Sequence, residues 1–302
     1  MTQVSVVIAS YNTREYLRAC LNSLKTTQPQ SSDVIVVDNA SRDGSARMVV
    51  EEYQHVRIVR NPRNFGLAHA LNQGIERARG AYVLFLNADT EIIGNAVKQM
   101  VAFLEQNLRY GAVAPRLIGH DGATQRSHMR FPNLLTPLFY GTPAERWFPN
   151  SPELRRYFAR DFNYERDADV QQPSSVCLLM RRRALKREQT LDQSLRVFFC
   201  DVDLCKRLRG AGWRIRYLSQ AKVLHHGSVS ARRLEEFAPE WHDTRLAYYR
   251  KHYGRAGGWW VKACVGWAVV DHCVHELWRR AHGAEEEPLT PVWHTYAGFL
   301  RH

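Results

Sequence analysis

Four apolar, largely β-branched runs in the first 90 positions each end in a polar cluster, and helical spacing fills the gaps between them. VSVVIAS (4–10) stops at YNTRE, DVIVV stops at DNAS, VRIV stops at RN, and AYVLFL stops at NADT. Between the first two, Leu17, Cys20, Leu21 and Leu24 recur as they would on one face of a helix. RDGSARMVVEEY and FGLAHALNQGIERARG (65–80) supply two further helical stretches. Apolar strands that do not alternate with polar residues, joined by helical crossovers, predict an α/β fold whose parallel sheet is covered on both faces. A chain of 302 residues has room for one large domain of this kind and an appendage.

The polar strand ends predict where chemistry sits, because open α/β sheets bind ligands in the crevice beyond the carboxyl ends of their strands. FLNADTEI (85–92) puts Asn87, Asp89 and Thr90 there, and DNAS puts Asp38 there. Two carboxylates converging at such a rim repel one another unless a cation or ligand donors lie between them. A divalent ion carrying a diphosphate meets both conditions. The alternative is that Asp38 and Asp89 are turn formers, since Asp and Asn bond readily to their own backbone.

The net charge of +12 points to an anionic partner: nucleic acid, a membrane surface or a phosphorylated substrate. The basic residues are dispersed and form no recognised nucleic-acid motif. No GxGxxG follows the first strand, which argues against a dinucleotide oxidoreductase. Cys20, Cys177, Cys200, Cys205, Cys264 and Cys273 include no CxxC pair or zinc-like spacing. MTQVSVVIAS lacks a basic region followed by a cleavable apolar segment, so reduced thiols and a cytoplasmic location are expected.

The ordered series VSVVIASYNTREYLRACLNSL, VIVVDNASRDGS, NPRNFGLAHALNQGIERARGAYVLFLNADT and DVDLCKRLRGAGWRIRYLSQAKVLHHGSVS resembles the family 2 glycosyltransferases over about residues 3 to 230. Within that family it is most similar to the rhamnosyltransferase-like branch. The resemblance implies a GT-A fold, with a mostly parallel nucleotide-binding sheet flanked by helices. It implies a catalytic domain over 1–230, divided into a nucleotide-sugar-binding half (1–115) and an acceptor-binding and catalytic half (116–230). A C-terminal helical extension (231–302) follows.

The implied activity is inverting transfer of a hexose or deoxyhexose, plausibly L-rhamnose, in cell-surface polysaccharide synthesis. The donor would be a dTDP- or UDP-sugar with Mg2+ or Mn2+, and the acceptor a glycan or lipid-linked oligosaccharide. By the same resemblance, Tyr11 lies against the base and Asp38 accepts from the imide NH of uracil or thymine. Asn64, Gly66 and Asn72 shape the nucleotide-side loop and helix, and Asn87 stands where other members carry Asp. Asp89 and His225 hold the metal, while Asp201 removes the acceptor hydroxyl proton, with Asp203 and Arg207 in support. A base is required because a sugar hydroxyl is a poor nucleophile.

Two departures bear on activity. Cys200 replaces the Glu that usually precedes the base, and SVCLLMRR replaces the pattern GACLLVRR, putting Ser175 and Val176 near the donor sugar. A catalytically degenerate nucleotide-sugar-binding homologue is therefore an open alternative. Singly, Asp201 and Asp203 also read as helix caps, His225 as a structural histidine, and Arg181, Arg182 and Arg183 as a solvated turn or helix start, with a phosphate-facing role as the alternative.

Residues 141–175, rich in Pro, charge and aromatics, read as an acceptor-side insertion or flexible loop. EEFAPEWHDTRLAYYRKHYG predicts a helix ending at Gly254. Beyond it, GWWVKACVGWAVVDHCVHELWRRAHG is too short in uncharged residues to span a bilayer. Trp259, Trp260, Trp267 and Trp278 with Lys262, Arg279 and Arg280 suit a helix lying in a headgroup region, or one packing its aromatics on the catalytic domain. Glu285 to Glu287 before Pro288 mark a break.

Overall fold

The computed structural model describes residues 3–27, 33–185, 190–227 and 234–282. The segment Glu285–Glu287 and the final residues lie outside it. The strands are β1 (Val4–Ser10), β2 (Asp33–Asp38), β3 (Arg57–Arg60), β4 (Tyr82–Leu86), β5 (Thr90–Ile92), β6 (Tyr110–Ile118), β7 (His128–Met129), β8 (Ala168–Asp169), β9 (Gln172–Pro173), β10 (Cys177–Arg181) and β11 (Arg214–His225). The helices are α1 (Arg14–Thr27), α2 (Ser45–Glu52), α3 (Leu67–Arg77), α4 (Ala96–Gln106), α5 (Thr136–Phe139), α6 (Pro143–Trp147), α7 (Pro152–Tyr157), α8 (Cys200–Gly210) and α9 (Leu234–Ala281). They form two compact units: Met1–Met129 with Phe162–Arg232, and Arg130–Asp161 with Arg233–His302.

In the first unit, nine strands make one sheet in the order β3-β2-β1-β4-β10-β6-β11-β5, with β8 beside β11. The arm from β3 to β4 is parallel. β10 runs antiparallel to both β4 and β6, and β11 runs parallel to β6 but antiparallel to β5. The unbroken apolar runs have their physical explanation in this layering. All five residues of β4 are buried. Val6, Ile8, Val36, Leu84 and Leu86 join Leu17, Cys20, Leu21 and Leu24 of α1 and Met100 and Leu104 of α4 in one cluster. Their odd-numbered neighbours Val7, Ile35, Val83 and Phe85 are equally buried on the other face, the side against which α3 packs on β1 and β2. Each such side chain contributes about 1.5–3 kcal/mol relative to exposure.

Arg181 corrects the solvated-turn reading. It is buried, and its guanidinium donates to the carbonyls of Tyr110 (2.8 Å), Leu104 and Asn107 (3.3 Å). A cation at the carbonyl end of α4 satisfies acceptors that the helix itself leaves open.

In the second unit, residues 130–161 cluster with the C-terminal helix; the expected loop over 141–175 contains α6 and α7 in this unit and β8 and β9 in the first. Both short helices begin with Pro in the first turn, and the Ser151 hydroxyl accepts from Leu154 N at the start of α7. The backbone carbonyls of residues 132–137 have no strand partner along this stretch. One face of α9 supplies donors instead: Arg245 to Pro137 O (3.0 Å), Tyr249 to Asn133 O (2.8 Å), Tyr253 to Pro132 O (2.7 Å) and Trp260 to Leu134 O (2.7 Å). The first helical stretch of α9 ends at Gly254, as its sequence implies. That residue's φ of 68° and ψ of −167° are non-helical and make a kink, after which a second helical stretch runs to Ala281 with Val261, Cys264, Val265 and Val269 as its buried stripe.

Candidate active site

Strand pairing brings Asp89 and His225 together. β4 ends at Leu86, the Thr90 hydroxyl closes a tight turn onto Asn87 O (2.7 Å), and β5 then pairs with the last residues of β11. His225 lies opposite Thr90 in that register, and His226 N donates to Asp89 O at 3.0 Å. The result is a separation of 3.6 Å between His225 Nε2 and Asp89 Oδ2.

Gln125 decides what faces what in this corner. Its amide nitrogen donates to His225 O (2.8 Å), which turns its oxygen toward His225 Nδ1 (2.7 Å). Nδ1 therefore carries the proton and Nε2 presents a lone pair to the Asp89 carboxylate. Burial, the largest influence, lowers the imidazole pKa and keeps the ring neutral despite Asp89. A lone pair opposite a carboxylate oxygen is a donor set that a cation satisfies, and an outer hydrogen bond on the other ring nitrogen is the usual way such a ligand is oriented. Among the described residues no cluster of three or more His, Cys, Asp or Glu is suited to a metal. The fit is thus to an ion that takes two protein ligands and completes its shell from substrate and water. His226 is engaged elsewhere, with Glu91 (2.8 Å) and His120.

Asp201 stands in the first turn of α8, after a left-handed Phe199 (φ 61°). A bulky residue in that region is strained by about 1–3 kcal/mol, and it turns the incoming chain into the helix. Burial pushes the Asp201 pKa up, opposed by hydrogen bonds from Ser175 N (3.2 Å) and Val202 N (2.9 Å). The next residue along, Val176, accepts from Asn87 N at 2.8 Å. The turn at 175–176 thereby ties Asp201 to the NAD segment: one end holds the acid, the other the backbone two residues before Asp89. Asp203 is fully buried and binds Arg207 (2.8 Å), whose guanidinium also donates to Thr190 O (2.6 Å).

The nucleotide-side candidates occupy the other arm of the sheet. β1 lies between β2, which ends at Asp38, and β4, which leads to the turn carrying Asp89, so the axes of those two strands are about 10 Å apart. Asp38 Oδ2 accepts from Ser41 N (3.1 Å), while its Oδ1 is buried without a hydrogen-bond partner. A buried acceptor left this way costs about 1–3 kcal/mol, which a ligand N–H relieves. Tyr11 is 37 % exposed. Asn64 accepts from Gly66 N (2.9 Å). Gly66 has φ 92°, and a Cβ there would lie 2.8 Å from Arg196 O. Asn72 is buried and makes a two-point bond with Leu191, donating to its carbonyl (2.7 Å) and accepting from its N–H (3.0 Å). Asn64, Gly66 and Asn72 therefore organise the loop that leads to α8.

Several participants escaped the sequence reading. Gln125 carries no motif signal. Asn39 donates to Gly66 O (3.1 Å), and Asn61 bridges Asn39 and Gln73 (2.8 and 2.9 Å), building a polar floor beneath the same loop. Asp43 accepts from Arg14 N (2.8 Å) and Ser45 N (3.0 Å), so one carboxylate serves the starts of α1 and α2. The two departures acquire local explanations. Cys200 is fully buried, its thiol donates to Val197 O (3.4 Å), and burial raises its pKa well above the ordinary range. Val176 packs on the core cluster, and the Ser175 backbone serves Asp201.

This sheet, with an aspartate after β4 and an acid at the start of α8, is the GT-A architecture of nucleotide-sugar-dependent glycosyltransferases. Residues 5–188 match Glycosyl transferase family 2, and the chain belongs to that family. Among its relatives, N-acetylglucosaminyl-diphospho-decaprenol L-rhamnosyltransferase of Mycobacterium tuberculosis is 28% identical over 287 residues, covering 89% of this chain and 90% of that one. Teichoic acid poly(glycerol phosphate) polymerase of Staphylococcus epidermidis is 31% identical over 42% of this chain and 17% of its own length. Among solved structures, S. aureus TarS 1-349 in complex with UDP superposes with a TM-score of 0.55 at 17% identity, covering 90% of this chain and 91% of that one. Mannosyltransferase PcManGT from Pyrobaculum calidifontis, in complex with GDP-Man and Mn2+, superposes with a TM-score of 0.57 at 17% identity over 99% of this chain and 81% of its own. No helix among the described residues is long and apolar enough to cross a membrane.

Proposed function

We propose that this chain is an inverting, metal-assisted glycosyltransferase. It moves a sugar, L-rhamnose in the first instance, from a dTDP- or UDP-sugar to a lipid-linked oligosaccharide or growing glycan of the cell surface, working at the cytoplasmic membrane face. The observation that carries this reading is the linkage of Asp201, through the 175–176 turn, to the segment where Asp89 meets His225. The near full-length likeness to the mycobacterial rhamnosyltransferase supports the donor sugar and the lipid-linked acceptor.

Asp89 and His225 would hold Mn2+ or Mg2+, which when bound neutralises charge on the departing diphosphate. Asp38 and Tyr11 receive the base, and Asn87 faces the donor from the same turn. Asp201, more basic than an ordinary aspartate, takes the acceptor hydroxyl proton as the oxygen bonds to the anomeric carbon and the nucleoside diphosphate leaves with the electrons of the broken C–O bond. Attack opposite to the leaving group inverts the anomeric centre.

The test is a panel of dTDP-, UDP- and GDP-sugars with Mn2+, assayed for transfer to a prenyl-diphospho-N-acetylglucosamine and for anomeric configuration of the product. Transfer from dTDP-rhamnose with inversion is expected. Nucleotide binding without transfer or hydrolysis of any donor would establish the degenerate reading instead.

A further inference from the structure

The second unit leaves a large apolar surface unpaired, and its pattern is regular. Beyond Gly254, α9 buries Val261, Cys264, Val265 and Val269 on one side. On the opposite side Trp259, Ala263, Val270, Val274 and Leu277 recur at intervals of three, four or seven, all exposed; Trp259 is 70 % exposed and Leu277 60 %. This second stripe runs about 27 Å along the helix and carries no charge. Neighbouring segments extend it. Trp260, bonded to Leu134 O, adjoins the exposed Leu134 and Leu135, and Trp267 stacks edge-on against the exposed Trp147 (5.7 Å), next to the exposed Phe148. Exposed apolar surface of this extent marks an interaction site.

Charge selects the occupant. Residues 250–282 contain six Lys and Arg and only two acids. Asp271 is paired with Arg146 (2.7 Å), and Glu276 is buried beside Arg279 (3.7 Å). The segment is therefore net cationic, and its exposed stripe is apolar. A second copy of the chain would bring equal cations together across the interface. An anionic bilayer instead takes the apolar stripe into its headgroup boundary and the flanking cations onto its phosphates. The geometry points to α9 beyond Gly254, with Leu134, Leu135, Trp147 and Phe148, as an in-plane docking surface for anionic lipid. The inference rests on the reading of the enzyme as working at a membrane face, and names the residues that hold it there.

The test uses the full chain in sedimentation with vesicles of phosphatidylglycerol and phosphatidylcholine, compared with vesicles of phosphatidylcholine alone. Wild type should bind the anionic vesicles with a blue shift of tryptophan emission. The double variant Val274→Glu, Leu277→Glu should bind at least tenfold more weakly, while Leu108→Glu, an exposed site on the first unit, should bind as wild type does. Both replaced side chains are exposed, so thermal melting should be unchanged; Trp259→Ala provides an independent disruption. Equal binding by the double variant would overturn the proposal. So would absence of wild-type binding to anionic vesicles, or a wild-type dimer that the double variant converts to monomer. Transfer to a water-soluble acceptor is measured in parallel and should be unaffected by these substitutions. Its loss in every protein, wild type included, would count against the transferase reading and leave the lipid result standing on its own.

Discussion

Leu84 and Leu277 are the same side chain in opposite circumstances. Leu84 in β4 is fully buried between helices and sheet, whereas Leu277 on α9 is 60 % exposed. The contrast extends across the units they belong to. The first uses both faces of a sheet to remove its apolar strands from water and keeps polar groups for the strand ends, with Asp38 and Asp89, and for the start of α8, where backbone donors hold Asp201. The second closes one face of a long helix onto a short insertion and leaves the other face apolar. An apolar residue in the first unit therefore reports on stability, and an exposed one in the second reports on association.

Substitutions can break or sharpen this comparison. The largest expected effect is at Asp201: Asp201→Asn should lower kcat by about 10²–10⁴-fold, with nucleotide affinity nearly intact, as read by transfer kinetics and calorimetry. In wild type, kcat/KM should fall as acid protonates this base, with the limb above the ordinary aspartate range because burial raises its pKa. Next, Leu84→Ala should cost about 2–5 kcal/mol in urea unfolding, whereas Leu277→Ala should stay within about 0.5 kcal/mol. Equal costs would erase the distinction between the two surfaces.

A third effect separates the units by pH. Burial, aided by Arg245, pushes His242 down to about 4, so it is neutral in the folded second unit. The unfolded chain protonates first as pH falls below the ordinary histidine value of about 6.5. Stability contributed by this residue is present above that value and should be lost progressively toward pH 4. His242→Phe should blunt the loss, as followed by tryptophan fluorescence. The smallest expected effect is at Gln125, where Gln125→Leu should weaken Mn2+ affinity by about 10–100-fold without altering the melting profile of the second unit.

The same contrast explains what was legible in the sequence. Strands β1, β2 and β4 are buried on both faces, so apart from Ser5, whose hydroxyl donates to Asp33, their runs contain no polar interruption, and the residues that end them stood out. Asp89 stood out at the end of an apolar run, whereas Asp201 and His225 became candidates only through the family resemblance, their local patterns reading equally as a helix cap and a structural histidine. Gln125 lies outside any strand or helix and acts through another side chain, so nothing local distinguishes it. That β1 lies between the strands leading to Asp38 and to Asp89 is not revealed by sequence order. Arg181 was misread because a basic triplet looks solvated until the carbonyls at the end of α4 are seen around it. Gly254 was legible as a helix end, and a second helical stretch begins beyond the kink because a buried stripe follows it.

The central claim is that Asp89 and His225 grip one cation that carries the donor diphosphate, while Asp201 acts on the acceptor alone. Calorimetric titration of dTDP and UDP into wild type, Asp89→Ala and Asp201→Asn, each with and without Mn2+, tests it most directly. Binding should be strengthened by Mn2+ in wild type and in Asp201→Asn, and should lose its metal dependence in Asp89→Ala. Nucleotide binding that is indifferent to Mn2+ in wild type, or that keeps its metal dependence when Asp89 is removed, would contradict the account.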